Sequence, residues 1–551
     1  MITVKLKGYG EIEVEKNSTL LDIIKELEPE NYRRYLGAIY DQQVQSLTYP
    51  IKKPMQVELL DITTVWGYRI YTKTVSAIFV MACEELFKHS KVKLQHFLGS
   101  GLYAEFERNI SISHGMISEI EKKMREIVEA DIPIVKEFLS KEEIIEFAKN
   151  RGLDESVALY ETTNKSGDEV HYIGEFSDIF QGSLAPSTGF VRAFALKYYF
   201  PGVLIVFPSF KNNYNINNYV EQKKLAKIFS EASEWAEIMG LAYLGSLNKL
   251  ICSGEVGDVI RIAEALQEKK IMRIADSIKE DLDIRLVLIS GPSSSGKTSF
   301  AHRLSIALKV NGLSPVTISM DDYFVNREDT PRKENGDYDF ESIEAIDLAQ
   351  LNRDLICLLE GEEVEIPKFD FKTGSRKSSG KVLKVDKLQP IIVEGIHGLN
   401  PALSLDIPDM NKYKIYISAL TQLNIDAHNR IPTTDTRLLR RLVRDYQFRG
   451  FLPERTFEIW EGVRKGEDVN IFPYQENADV MFNSALAYEL GVLKKYAIPL
   501  LQLVDKNSPW HMESVKLLHF LSYFKDIDQD ELIPNNSILR EFIGGSTFDV
   551  H

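Results

Sequence analysis

Residues 291–298 read Gly-Pro-Ser-Ser-Ser-Gly-Lys-Thr, a glycine-bounded run closing on a lysine and a hydroxyl. A run of this kind turns successive backbone N–H groups into one concavity, the geometry that holds phosphate oxygens. Lys297 is placed to reach the β/γ oxygens, and the Thr298 hydroxyl to coordinate Mg²⁺. The following helix would add its N-terminal dipole. The expected ATP-binding residues are therefore Gly291, Pro292, Ser293, Ser294, Ser295, Gly296, Lys297, Thr298 and Ser299.

Other groups can act on a triphosphate held there. Ser319-Met-Asp-Asp-Tyr-Phe324 follows a short apolar run, and open α/β sheets gather ligand-binding residues at strand C-termini. We assign Asp321 as the catalytic base that accepts or positions the proton of an attacking hydroxyl, while Lys297 and Mg²⁺ offset charge on the γ-phosphate. Asp322 is either a support for the cation's ligands or a helix cap. Ile391-Ile-Val-Glu394 is another apolar run ending in an acid, so Glu394 is the expected Mg²⁺ carboxylate, direct or through water. His397 is open between a substrate contact and a local hydrogen bond. Arg437, Arg441 and Arg444 fall at i, i+4 and i+7, on one helix face, and Arg449 closes the same segment. Guanidinium forks bind phosphate oxygens bidentately, which suits a lid that closes over the phosphates.

The elements around these residues have the right periods. Arg285 to Ile289 reads as a buried strand, and Thr298 to Val310 carries Phe300, Leu304, Ala307 and Leu308 at helical spacing. Asn311-Gly312 ends that helix, and Val316 to Met320 is a second strand. Strand, phosphate loop, helix and strand open a parallel α/β nucleotide-binding domain.

The whole chain bounds what else is present. Its 551 residues call for three or four domains, since one core seldom grows beyond about 300 residues. A net charge of −15 argues against broad nucleic-acid binding and leaves room for a local basic surface. Cys83, Cys252 and Cys357 are far apart and suit reduced thiols. No apolar run approaches ~18 residues, so no membrane span is expected and the location expected is cytoplasmic. Residues 1–62 alternate as strands around a helix opened by Ser18 or Thr19, a β-grasp pattern. Residues 63–275 mix helices and strands, with a helical connector over about 219–280. Residues 506–551 form a helical extension without an assigned task.

Three resemblances follow from these residues. The first 62 resemble a TGS domain. Cys83-Glu-Glu-Leu-Phe87 and Ser177 to Gly189 resemble the second N-terminal domain of threonyl-tRNA synthetase. That family places two pairs of metal ligands where this chain has Lys73 and Ala77, then Phe180 and Leu184. The expectation is no zinc and no editing hydrolysis, and His89, His96, His114 and His171 have no ligand spacing either. From about 284 to 505 the chain resembles the uridine kinase and phosphoribulokinase family. That match rests on the phosphate loop, Asp321-Asp-Tyr-Phe, Pro367 to Lys377, Val393-Glu-Gly and the arginine helix. It implies an α/β fold: a P-loop kinase domain with a parallel sheet, preceded by the β-grasp and an α+β synthetase-like domain. By resemblance, Phe324, Asp339, Phe369 and Arg376 line an acceptor pocket for a nucleoside-like molecule. A sugar phosphate or pantothenate-like acceptor is the alternative. A third reading, an RNA-associated nucleotide switch, follows from the front domains, which would bring tRNA or other RNA as a partner. Related kinases often assemble, so a homo-oligomer is a further expectation. The chain departs from uridine kinases at Phe369, where they carry Tyr, and at Gly374, where they carry a His against the pyrimidine.

Overall fold

The computed structural model describes residues 1–87, 91–106, 112–209, 214–216, 219–333, 336–370, 373–421 and 423–550. His89 lies outside them. The chain divides into two compact units. The first is 1–222 with 243–249 and 423–430, and the second is 223–242, 250–422 and 431–551. Residues 223–242 and 250–280, read from the sequence as a helical connector, thus cluster with the second unit and 243–249 with the first. The helical segments Lys223–Ile238 and Val256–Glu280 bury apolar residues with the second unit, while Leu244, Gly245, Leu247 and Asn248 of the short helix between them belong to the first.

The first unit opens with β1 (Ile2–Leu6), β2 (Gly10–Val14), α1 (Leu20–Leu27), β3 (Tyr35–Tyr40), β4 (Gln43–Gln45) and β5 (Met55–Asp61). Their sheet runs β2-β1-β5-β3-β4, with β1 and β5 parallel. Thr19 caps α1 in a reciprocal box with Asp22, which satisfies two otherwise unpaired N–H groups. Leu20, Ile23 and Ile24 turn the helix's apolar face to the sheet. The hairpin, the capped helix and the strands at 37–40 and 57–60 expected from the sequence are all present.

The unit continues through α2 (Val65–Leu86), β6 (Val92–Leu98), β7 (Gly101–Phe106), α3 (His114–Glu129), β8 (Ile134–Ser140), α4 (Lys141–Arg151), α5 (Asp154–Thr162), β9 (Gly167–Ile173), β10 (Phe176–Asp178), β11 (Ala195–Tyr199) and β12 (Gly202–Val206). They form a four-stranded sheet β11-β12-β7-β6 and a three-stranded sheet β10-β9-β8. α2 is buried over Ile70 to Cys83 except for Thr72 and Lys73. Segment 423–430 completes this unit from far along the chain. Asn424 Nδ2 donates to the Leu94 carbonyl at 2.8 Å, and the Leu94 amide donates to Ala427 O at 2.8 Å.

The second unit begins with α6 (Lys223–Ile238) and, after α7 (Leu244–Cys252), α8 (Val256–Glu280). Then come β13 (Leu286–Ser290), α9 (Lys297–Val310), β14 (Val316–Ser319), α10 (Leu348–Glu360), β15 (Val364–Asp370), β16 (Ser375–Leu383), β17 (Ile391–Glu394) and β18 (Lys412–Ser418). α11 (Thr433–Arg449), α12 (Pro453–Asn470), β19 (Val480–Asn483), α13 (Glu489–Gln502), α14 (His511–Leu521) and α15 (Arg540–Ile543) follow. One parallel sheet, β14-β17-β13-β18-β19, forms its centre. The whole of β13 is buried, as an apolar run covered on both faces requires. Parallel strands send all their C-termini to one edge, and the phosphate loop, Asp321 and Glu394 leave the sheet from that edge.

Candidate active site at the strand ends

The phosphate loop leaves β13 and enters α9. A Cβ at Gly291 would collide with the Ile417 carbonyl, so only glycine fits. Gly296 sits at φ +84° and Ser294 at φ +60°, left-handed geometry that is uncommon for a serine. The Ser294 and Ser295 hydroxyls are buried without a hydrogen-bond partner. Buried polar atoms of native proteins are normally satisfied, so two unpartnered hydroxyls in this loop fit an oxygen-rich ligand such as a triphosphate. Lys297 Nζ donates to the Pro292 carbonyl at 3.3 Å, within its own loop.

Asp321 follows β14 in a short helical turn, and Glu394 ends β17, which pairs with both β13 and β14. Their charges act on one another and on Lys297. Burial depresses the Lys297 ammonium, against the opposing pull of Glu394 and Asp321. Burial raises Asp321, offset by Lys297, Arg449 and Arg444. The Asp321 side chain opens to solvent, which tempers that rise. Burial first, then the Asp321 charge, lift Glu394 to about 7, while Lys297 and the Ser319 hydroxyl 3.0 Å away lower it. Among the described residues, no cluster of three or more His, Cys, Asp or Glu side chains forms a metal cage. Mg²⁺ needs none, because it is usually held by one or two carboxylates plus substrate phosphates. Thr298 on the first turn of α9 and Glu394 are a fitting donor pair.

The arginines of α11 reach the loop. Arg437 Nε donates to Ser293 O at 2.9 Å, and Arg441 Nη1 to Ser293 Oγ at 2.7 Å. Arg440 joins them, donating to Ser294 O at 3.3 Å and pairing with Glu489. Arg444 and Arg449 turn to Asp445, at 3.0 and 3.2 Å. The sequence reading omitted Arg440, although it stands three residues from Arg437 and so on a neighbouring face.

Three glutamates carried no signal. Glu467 of α12 pairs with Arg437 and accepts the Ser293 amide at 3.1 Å. Glu541 accepts from the Ser299 amide at 3.2 Å and its hydroxyl at 2.8 Å. Glu341 is raised to about 7 by burial and then by Glu467, against Arg441, Lys333 and Lys297.

On the acceptor side, Phe324 and Phe369 pack with ring centroids 5.6 Å apart, and Phe340 meets Phe324 edge-on at 6.0 Å. Asp322 accepts the Phe369 amide at 3.4 Å, tying β15 to the turn that carries Asp321. Arg376 is engaged with Asp347, Gln350 and the Phe324 carbonyl. Asp339 faces Lys333 at 3.9 Å and accepts the Glu341 amide. At Gly374, φ +69°, an added Cβ would stand 2.6 Å from Arg327 Nε, so a guanidinium fills the space a side chain would need. His397 is buried, and burial lowers it to about 4. A separate cavity of about 520 Å³, lined by Leu399, Asn400, Ser404, Ile407, Lys412 and Lys414 among others, contains none of the expected site residues.

In the first unit, the four positions aligned with metal ligands hold other partners. Lys73 Nζ donates to the Gln181 carbonyl, and Ala77 and Leu184 are core. Phe180 stacks on the His428 ring at 6.0 Å.

Residues 286–489 match the Phosphoribulokinase / Uridine kinase family, so the C-terminal half carries a P-loop kinase domain of that family. The N-terminal half is similar to threonine–tRNA ligases. That of Clostridium kluyveri (strain ATCC 8527 / DSM 555 / NBRC 12016 / NCIMB 10680 / K1) is 30% identical over 242 residues, 44% of this chain and 37% of the ligase. That of Clostridium tetani (strain Massachusetts / E88) is 29% identical over 198 residues, 36% of this chain and 31% of the ligase. The chain thus spans little more than a third of the ligases' length. Two solved structures are also similar. A putative fructose transport system kinase from Silicibacter sp. TM1040 is 18% identical, with 38% of this chain and 98% of that chain covered and a TM-score of 0.28. A possible uridine kinase from Bacillus stearothermophilus is 19% identical, with 36% and 89% covered and a TM-score of 0.25. No helix among the described residues is long and apolar enough to cross a membrane.

Proposed function

We propose that the C-terminal unit transfers the γ-phosphate of ATP to a hydroxyl of a nucleoside-like small molecule. The observation that carries this reading is the meeting of Lys297, Asp321 and Glu394 at one sheet edge, with their charges coupled beside the phosphate loop. Lys297 and the loop amides hold the phosphates. Asp321, exposed at the end of its turn, orients the acceptor hydroxyl and takes its proton. Thr298 and Glu394 would hold Mg²⁺, whose charge offsets that of the β/γ oxygens. Arg437 and Arg441 steady the loop from α11.

A second acceptor class has its own support. Arg327 stands against Gly374, at the edge of the expected pocket, and Lys333 stands by Asp339. Cations there suit an acceptor that itself bears a phosphate or carboxylate. For the N-terminal unit, likeness to threonine–tRNA ligases supports tRNA or a related RNA as a partner.

The test is ADP release from Mg·ATP across nucleosides, sugar phosphates and pantothenate-like hydroxy acids. One class should stimulate turnover, and Asp321→Asn should cut it by roughly 10²–10⁴-fold. Absence of stimulation by every acceptor, with tRNA altering nucleotide affinity instead, would sink the kinase reading in favour of a nucleotide-dependent switch.

A further inference from the structure

The first turn of a helix after a phosphate loop offers free N–H groups to the ligand's phosphates. Ser299 is the third residue of α9, yet its amide and hydroxyl are both taken by Glu541 Oε2. Glu541 is 5% exposed and Ser299 fully buried, so the contact is shielded from water. Glu541 is also near enough to Lys297 and Glu394 for its charge to act on both. A carboxylate therefore sits on a donor pair one residue past the phosphate-loop motif, in the first turn of α9, at a residue expected to contact ATP.

The rest of the segment closes over the loop. Ile538, fully buried, presses its Cγ2 into the space where a Cβ at Gly296 would lie. Phe542 lies under the Arg440 guanidinium, 5.0 Å from carbon to ring centre. The segment is braced on itself. The Thr547 amide donates to Asn535 O at 2.9 Å, and Arg540 Nη2 donates to Asp530 O and Ile533 O at 2.7 and 2.9 Å. Gly544 and Gly545, at φ +87° and +74°, turn the chain back. Residues 535–547 thus form a compact loop whose ends meet. Glu467 does the same at the other end of the phosphate loop, on the Ser293 amide.

We propose that residues 535–547 are an autoinhibitory latch, with the Glu541 carboxylate standing in for a nucleotide phosphate on Ser299. A triphosphate and this carboxylate repel each other and compete for the same donors, so nucleotide entry displaces the latch. The proposal rests on the nucleotide-binding part of the kinase reading.

The test titrates a fluorescent ATP analogue with Mg²⁺ into the full chain, Glu541→Gln, and a Glu531→Gln control whose side chain is exposed. Glutamine keeps an oxygen for Ser299 and removes the charge. Glu541→Gln should bind at least about fivefold tighter, and the control should match the parent. In the parent protein, saturating nucleotide should speed hydrogen exchange of the 537–544 amides. Equal or weaker binding by Glu541→Gln, with exchange unchanged, would show Glu541 to be a fixed helix cap and overturn the proposal. Binding by neither protein would overturn the nucleotide-site reading beneath it.

Discussion

At the scale of single residues, the site is organised by buried charge. Arg440 is fully buried, and its guanidinium is shared among Glu489, Ser484 and the Ser294 carbonyl. Removing one partner of such a pair leaves the other charge in a poor solvent, at a cost of about 3–5 kcal/mol. Arg440→Ala should therefore lower the urea stability of the C-terminal unit by that amount. Arg440→Met with Glu489→Leu should recover most of it, because neither charge is then stranded. A double variant as unstable as the single one would show that the Ser294 and Ser484 contacts carry the effect. The same residues show what could be read in advance. The phosphate loop, Asp321 and Glu394 are each announced by a local pattern, a strand period followed by a particular residue type. Glu467 and Glu541 arrive at the loop from about 170 and 240 residues away, as the bonds to Ser293 and Ser299 show. Each is one glutamate among many on an ordinary helical stretch, so nothing local marks it.

At the scale of elements, the segment between β18 and α11 behaves as part of the first unit. Its His428 Nδ1 meets Asp178 at 2.5 Å, and its Asn429 side chain bonds the Ile179 carbonyl and the Gln181 amide at 2.8 and 2.9 Å. Burial would depress His428. The facing carboxylates Asp178 and Asp426, with Glu155 further off, outweigh it and raise the imidazole to about 9. Asp426 is lifted to about 7, by burial first and then by Asp178, against His428 and Asn429. Both shifts have the same sign. A raised imidazole stabilises fully below its unfolded pKa near 6.5, and the benefit is lost as pH rises towards 9. A raised carboxyl likewise makes the folded state less favourable as pH rises from about 4 to 7. Hydrogen exchange of the 423–430 amides, corrected for intrinsic pH dependence, should therefore report a local opening free energy that falls between pH 6 and 9. His428→Asn should flatten that dependence. A parent protein whose protection is level over this range would refute the charge network as its source. The sequence reading passed over His428 because a histidine in a polar loop has no period or spacing to mark it, while the β-grasp strands and α9 repeat their patterns over many residues.

At the scale of the whole molecule, chain order and compact units do not coincide. The chain passes between units after residues 222, 242, 249, 422 and 430. Linear domain boundaries are read from composition and linkers, and a return of eight residues offers neither. The consequence can be tested by cutting at 222. Fragment 1–222 would keep all three sheets of its unit but lose segments 243–249 and 423–430. Without the second, the Val92, Leu94 and Ile179 carbonyls and the Leu94 and Gln181 amides lose their partners. Phe180 and Phe97 lose the His428 and Arg430 groups that cover them. Five stranded polar groups at about 1 kcal/mol each, the low end for sites that water can partly reach, already approach the 5–15 kcal/mol that holds a domain together. The fragment should melt well below the intact protein or without a cooperative transition. Adding a peptide of residues 420–432 in excess should raise its melting temperature in a concentration-dependent way, since a ligand of the folded state stabilises by mass action. A peptide with His428 and Asn429 both replaced by alanine should do so weakly. A fragment that melts as the intact unit does, indifferent to the peptide, would mean that the returning segment is an appendage and that the N-terminal half folds on its own.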